Sequence, residues 1–148
     1  MQIAFLLLTD YSESLNGKLY TLGAGWNVLN FPELPQEWRF SVGMGIDVPW
    51  DETNRRHSIQ LVIQDPDGYE LGDELSMEVE AGRPPGLPPG QEQRLVIAIN
   101  VGATFETSGP HAIVVRDGDE ELERARFYLA QVSDDALQFG GPDVVRGS

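Results

Sequence analysis

Apolar and polar residues alternate with a period of two along most of the chain between Lys18 and Leu129. Tyr20, Leu22, Ala24, Trp26 and Val28 share one face of the first such run. Phe40, Val42, Met44, Ile46 and Val48 share a face of the next, with Ser41, Gly43, Gly45 and Asp47 between them. Ile59, Leu61 and Ile63 repeat the pattern, as do Tyr69, Leu71, Leu75, Met77 and Val79. Leu95, Ile97, Ile99 and Val101 follow, then Ala125, Phe127 and Leu129. Such alternation marks strands with one face in a core and one in water. No window of useful length keeps apolar residues at helical spacing. Helix is expected only as a short turn after Ser133, where Ser133-Asp134-Asp135 offers a cap.

The punctuation agrees. Asp65-Pro66-Asp67-Gly68 and Arg116-Asp117-Gly118-Asp119 each separate two alternating runs and predict tight hairpins. Asn16-Gly17 predicts a turn between the first two strands, and Phe31 to Pro35 a link between the second and third. Ala81 to Gln91 holds four prolines and three glycines in eleven residues. It is expected as a stiff surface loop between sheets. About eight short strands with regular turns predict an all-β, antiparallel two-sheet β-sandwich. Residues 1–131 are read as a single domain and 132–148 as a C-terminal tail.

The first strand is apolar on both faces: Ile3, Phe5 and Leu7 on one, Ala4, Leu6 and Leu8 on the other. A strand of that kind is covered on both sides. The apolar tail residues after Val132, or a partner subunit, are the two candidate covers.

Charge and composition narrow the function. The chain has 148 residues, 24 acidic and 10 basic, with a formal charge of −14 and no cysteine. That charge argues against nucleic acid or an anionic membrane as partner. Without cysteine there is no disulfide, thiolate metal site or cysteine nucleophile. Met1 to Leu8 lacks the positive leader of a signal peptide, and no run approaches a membrane span. A cytoplasmic protein is expected, and the arginine-rich basic set fits a bacterial genome.

Candidate chemistry is thin. Asp65, Asp67, Glu70, Asp73 and Glu74 hold the oxygen ligands calcium favours, but the loop pattern is incomplete, and a turn capped by its own aspartates is the plainer reading. Asp117, Asp119, Glu120, Glu121 and Glu123 sit at a solvated hairpin tip. His57 and His111, the two histidines, have no partner motif for zinc or for general-base chemistry. Gly23-Ala24-Gly25 and Gly43-Met44-Gly45 lie inside strands, where glycine marks a bulge or close approach rather than a phosphate loop. No catalytic residue, cofactor or metal site is assigned.

Two stretches resemble known modules. Thr9-Asp10-Tyr11, Asn16-Gly17-Lys18-Leu19, Gly23 and Trp26 before Pro32 are similar to the opening of a family of small bacterial proteins of unknown function. Phe105 to His111, then Ile113, Val115, Asp117-Gly118 and Phe127, resemble the last hairpin of bacterial immunoglobulin-like modules, with His111 where an aromatic is usual. The resemblance implies an immunoglobulin-like sandwich and carries no activity.

Protein contact remains. If Ile59, Ile97 and Phe127 point inward, then Val62, Val96 and Tyr128 point outward, with Val114 beside them. In an immunoglobulin-like order these would form one exposed apolar patch, and such patches mark interfaces. The first strand, with Phe5, Leu6 and Leu8, is the second candidate surface. The expected function is a non-enzymatic acidic module that contacts another protein or its own copies. The alternative is a sandwich that binds carbohydrate or calcium, with Trp50 as the sugar-stacking residue.

Overall fold

The computed structural model describes residues 1–133. The described residues form nine strands: β1 (Gln2–Leu15), β2 (Lys18–Ala24), β3 (Val28–Phe31), β4 (Gln36–Val48), β5 (Arg56–Gln64), β6 (Glu70–Glu80), β7 (Gln93–Phe105), β8 (Gly109–Asp117) and β9 (Glu120–Gln131). One 3-10 turn, Trp50–Glu52, lies between β4 and β5. The all-β expectation therefore holds, in two sheets. One has the order β2-β1-β4-β7, the other β3-β9-β8-β5-β6. The helical turn and apolar cover expected of the tail fall outside the described residues.

The turns form where their residues demand. Asn16 and Gly17 both take positive φ, 51° and 73°, and join Leu15 to its partner Lys18. Two left-handed residues in succession give the turn whose twist matches a hairpin. Asp65 Oδ1 accepts the backbone N–H groups of Asp67 and Tyr69, both at 2.9 Å. That carboxylate caps its own turn. The proline-rich segment after Ala81 connects β6 in one sheet to β7 in the other.

The core fills the space between the sheets. Val42, Met44, Ile46 and Val48 of β4 face Ile59, Leu61 and Ile63 of β5 and Ile113 and Val115 of β8. An aromatic group closes one end. Phe127 meets the rings of Trp26, Phe40, Phe105 and His111 at centroid distances of 5.5 to 6.1 Å.

Three expectations need correction. The run from Tyr20 to Val28 is not one strand. It breaks after Ala24, Gly25 turns at φ 92°, and β3 crosses to the other sheet. There β3 pairs with β9 in parallel, Val28 opposite Tyr128, so the sandwich is not wholly antiparallel. Along β2 the faces are reversed. Tyr20 and Leu22 are exposed, whereas Leu19 and Thr21 are half-buried. The cause is the curl of the four-stranded sheet, which brings β1 and β2 against β7 and gives the sheet an inner face of its own. Glycine permits it: a Cβ on Gly43 would lie 2.5 Å from Leu19, and one on Gly45 only 2.3 Å from the Phe5 ring. Leu19 and Phe5 thus lie directly on β4.

Candidate functional site

The four candidate residues outside β1 separate into different settings. Val62 and Val114 are opposite each other in the β5–β8 ladder and do face away from the core. They are not open to solvent: each is 2% exposed, in a small outer cluster with Ala112. Their register places the half-buried Arg116 next to Val114 along β8, and Arg124 and Arg126 across on β9. Long arginine stems cover apolar surface while their heads stay wet. Tyr128 is 50% exposed on the same sheet, beside Val28. Val96 belongs to the other sheet, on β7, opposite Gly45. The single patch expected from the alternation therefore does not exist.

The first strand is central where it carries β2 and β4, not a bare edge throughout. Leu8 is buried in the core, and Leu6 packs against it. Phe5 faces the other way, onto Gly45. Its second face is covered by the curl of its own sheet, a cover that alternation alone did not suggest. A polar seam runs along this inner face. Ser41 Oγ donates to the carbonyl of Ile99 at 3.2 Å, so its single proton is used and Ser12 is the donor in their mutual bond. Thr9 Oγ1 donates to the Ser41 carbonyl at 3.2 Å, and Ser14 Oγ to the Val96 carbonyl at 2.7 Å. The last bond ties β1 across to β7. Each buried hydroxyl is satisfied, which keeps the curl from carrying a desolvation cost.

The curl leaves a different surface open. On the outer side of the β1–β2 hairpin, Tyr11 pairs with Leu22, and Tyr20 is two residues from Leu22 on the same face. They are 51%, 69% and 52% exposed. Leu15 is also exposed, at the tip of the hairpin. Sequence reasoning missed this face because it assigned Tyr20 and Leu22 to the core. The signal available was the pair of apolar residues Leu19 and Tyr20 in succession, which leaves the inward face undecided.

Trp50 is no free sugar platform. The Arg83 guanidinium lies 4.0 Å from its ring centroid. Arg83 also donates to the Trp50 carbonyl at 2.8 Å and to Thr53 Oγ1 at 2.6 Å. Trp50 thus anchors the start of the proline-rich loop. Among the described residues no group of three or more His, Asp or Glu stands close enough to hold a metal ion. His57 Nε2 bonds the Glu52 carbonyl at 2.8 Å, and His111 Nδ1 the Gly109 carbonyl at 2.9 Å. Each gives one ring nitrogen to the backbone, and the other nitrogen of His111, Nε2, is buried without a hydrogen-bond partner among the described residues. No described helix is long and apolar enough to cross a membrane.

One ion pair is well built. Arg94 Nε and Nη2 hold the two Asp47 oxygens at 2.7 and 3.0 Å across the β4–β7 ladder. The hydrogen bond from Arg94 holds the Asp47 carboxyl below the ordinary aspartate range, against the opposing pull of burial. A depressed folded value means stability that is present above the unfolded value and lost as pH falls through the folded one. Asp47→Asn is expected to cost about 1–2 kcal/mol at neutral pH, a modest figure because Arg94 is half exposed. The difference from wild type should shrink below about pH 4. Urea unfolding of both proteins at neutral and acid pH checks this, and a pH-independent difference would contradict it.

Comparison with known proteins adds the family. The β-glucosidase from Listeria innocua in complex with glucose is 12% identical, with a TM-score of 0.39 over 73% of this chain and 15% of that one. The Pseudomonas fluorescens alkylpurine DNA glycosylase AlkC, bound to DNA containing an abasic site analog, is 16% identical, with a TM-score of 0.36 over 70% of this chain and 28% of that one. The chain thus spans less than a third of either protein, and neither likeness carries an argument about function. Among curated proteins, none matches. A family model does match, along residues 4–130, almost the whole described sandwich, and on that span the chain belongs to DUF6941, a family of unknown function.

Proposed function

We propose that this chain is a non-enzymatic acidic module, an immunoglobulin-like sandwich in plan, that works by contact with another protein or with its own copies. The supporting observation is the solvent-facing cluster of Tyr11, Tyr20 and Leu22 on the β1–β2 hairpin. Aromatic and aliphatic side chains grouped in the open on a chain of charge −14 are what an interface core needs. The charge disfavours nucleic acid and anionic membrane as partners and speeds encounter with a basic one. A bacterial cytoplasm is the setting this reading assumes. No observation favours the carbohydrate or calcium alternative, since Trp50 is stacked by Arg83 and the Asp65 carboxylate caps its own turn.

The test is solution mass by light scattering across a wide concentration range. A mass rising above the 16.4 kDa of one chain is expected, and Tyr20→Glu with Leu22→Glu should return it to the monomer without lowering Tm. Both side chains are exposed, so the fold should tolerate the change. A mass that rises equally in the variant would remove the hairpin face as the contact. A monomer at every concentration would remove self-association and leave the heterologous contact.

A further inference from the structure

Residues 81–92 link β6 to β7. The link is about twice the usual loop length of roughly 4–6 residues. Its two feet are fixed. The Ala81 carbonyl accepts the Asn54 N–H at 2.7 Å, and Arg83 is held by the ring and carbonyl of Trp50 and by Thr53. Gln93 enters the β4–β7 ladder opposite Val48. Between the feet a tetrapeptide recurs with only its first residue changed, Arg83-Pro84-Pro85-Gly86 and then Leu87-Pro88-Pro89-Gly90. Gly86 and Gly90 take φ of 92° and 87°, and the Gln91 N–H closes the second turn on the Pro88 carbonyl at 3.2 Å. Proline followed by glycine at positive φ is a turn with little freedom. Every residue from Pro84 to Gly90 is exposed, and Leu87 is not among the residues packed on the core. The loop thus holds four prolines and a leucine ready-ordered in solvent, which lowers the entropy lost on binding.

Exposed prolines are recognised by aromatic surfaces. Rings pack on the pyrrolidines, and hydroxyls donate to carbonyls that have no partner within the chain. This chain carries such a surface on its own β1–β2 hairpin, where Tyr11 and Tyr20 flank Leu22. Charge selects what can approach it. Glu13 pairs with Tyr20 on that hairpin, so an acidic segment is repelled. Pro84 to Gln91 carries no charge. Within one chain the loop and the hairpin face both stay exposed, so neither covers the other.

We infer that the proline loop of one copy docks on the β1–β2 hairpin face of a second copy, with Leu87 and its flanking prolines against Tyr11, Tyr20 and Leu22. This rests on the self-contact reading and names the surface that meets the hairpin. The two surfaces differ, so the contact is head-to-tail. Each pair leaves one loop and one hairpin open, and assembly passes beyond two chains. The contact is small and therefore weak. Salt should strengthen it by screening the repulsion between two chains of charge −14.

The experiment uses two variants of the full chain. The loop variant carries Pro85→Ser, Leu87→Ser and Pro88→Ser, with no change of charge. The hairpin variant carries Tyr20→Glu and Leu22→Glu. All five positions are exposed, so both should keep the wild-type Tm. By light scattering each alone should associate about tenfold or more weakly than wild type. Mixed, they should recover a complex that stops at two chains, because one supplies an intact hairpin and the other an intact loop. With the loop variant labelled, amide shifts on mixing should concentrate at Tyr11, Tyr20 and Leu22. With the hairpin variant labelled, they should concentrate at Gly86, Leu87, Gly90 and Gln91. A mixture that stays monomeric, or shifts mapped elsewhere, would overturn the inference. A loop variant that associates as wild type while the hairpin variant does not would overturn it alone and leave the hairpin as the contact. A wild-type protein that is monomeric at every concentration would remove it together with self-association.

Discussion

Phe127→Ala is expected to cost about 3–5 kcal/mol of folding free energy, the upper range for truncating a core side chain. Phe127 is buried in β9 and, among the described residues, is the one ring that touches four others. Trp26, Phe40 and Phe105 meet it edge to face, at interplanar angles of 83°, 70° and 84°, and His111 stacks on it at 24°. These rings come from both sheets and from the crossing segment between β2 and β3. Truncation removes the transfer free energy of the ring and leaves a cavity whose walls are stiff aromatics on separate strands. Such walls cannot close together without moving backbone. Tm should fall by roughly 10 °C. Phe127→Leu, which keeps most of the volume, should lose much less. Denaturant unfolding of the three proteins decides the matter. An alanine variant within about 1 kcal/mol of wild type would mean that the ring cluster does not hold the sheets together.

The next largest effect is expected at Gly45. A side chain there must displace Phe5, because the new Cβ would stand 2.3 Å from the ring. Gly45→Val should cost about 1–3 kcal/mol, the range for forcing volume into a packed site, despite the better strand propensity of valine. The cost is specific to one contact, so it should be suppressible. In a Phe5→Ala background, Gly45→Val should be nearly neutral. The coupling free energy from the four proteins would then measure how much of the curl depends on this ring lying flat on β4. Additive effects would show that the clash is relieved elsewhere and that the curl does not depend on this contact.

The candidate surfaces were legible to very different degrees. Phe5, Leu6 and Leu8 lie on a strand apolar on both faces, and that pattern by itself calls for cover on both. Alternation turns Val62 and Val114 away from the core but says nothing of what covers them. Their burial has no local signal beyond Arg116, because Arg124 and Arg126 are on β9 and become neighbours only through pairing. Val96 was misplaced because an assumed strand order put β7 in the wrong sheet.

Local chemistry by itself settled the strands, the turns and most of the core. A period of two permits only strands here, Asn16-Gly17 permits only a tight turn, and the prolines after Ala81 permit no ladder. These constraints act within a few residues, so no fold is needed to express them. Tertiary structure decided which face of a strand counts as inside. Leu19 and Tyr20 are both apolar, and nothing local to them ranks one above the other. Gly43 and Gly45, far along the chain, make room for Leu19 and Phe5, and that room curls the sheet and turns Tyr20 and Leu22 to solvent. The crossing of β3 into the second sheet has the same kind of cause. Trp26 gains the rings of Phe40 and Phe127 only when the chain leaves β2 after Ala24. Packing between distant segments outweighs a continued alternation, and it sets which surfaces are left for a partner.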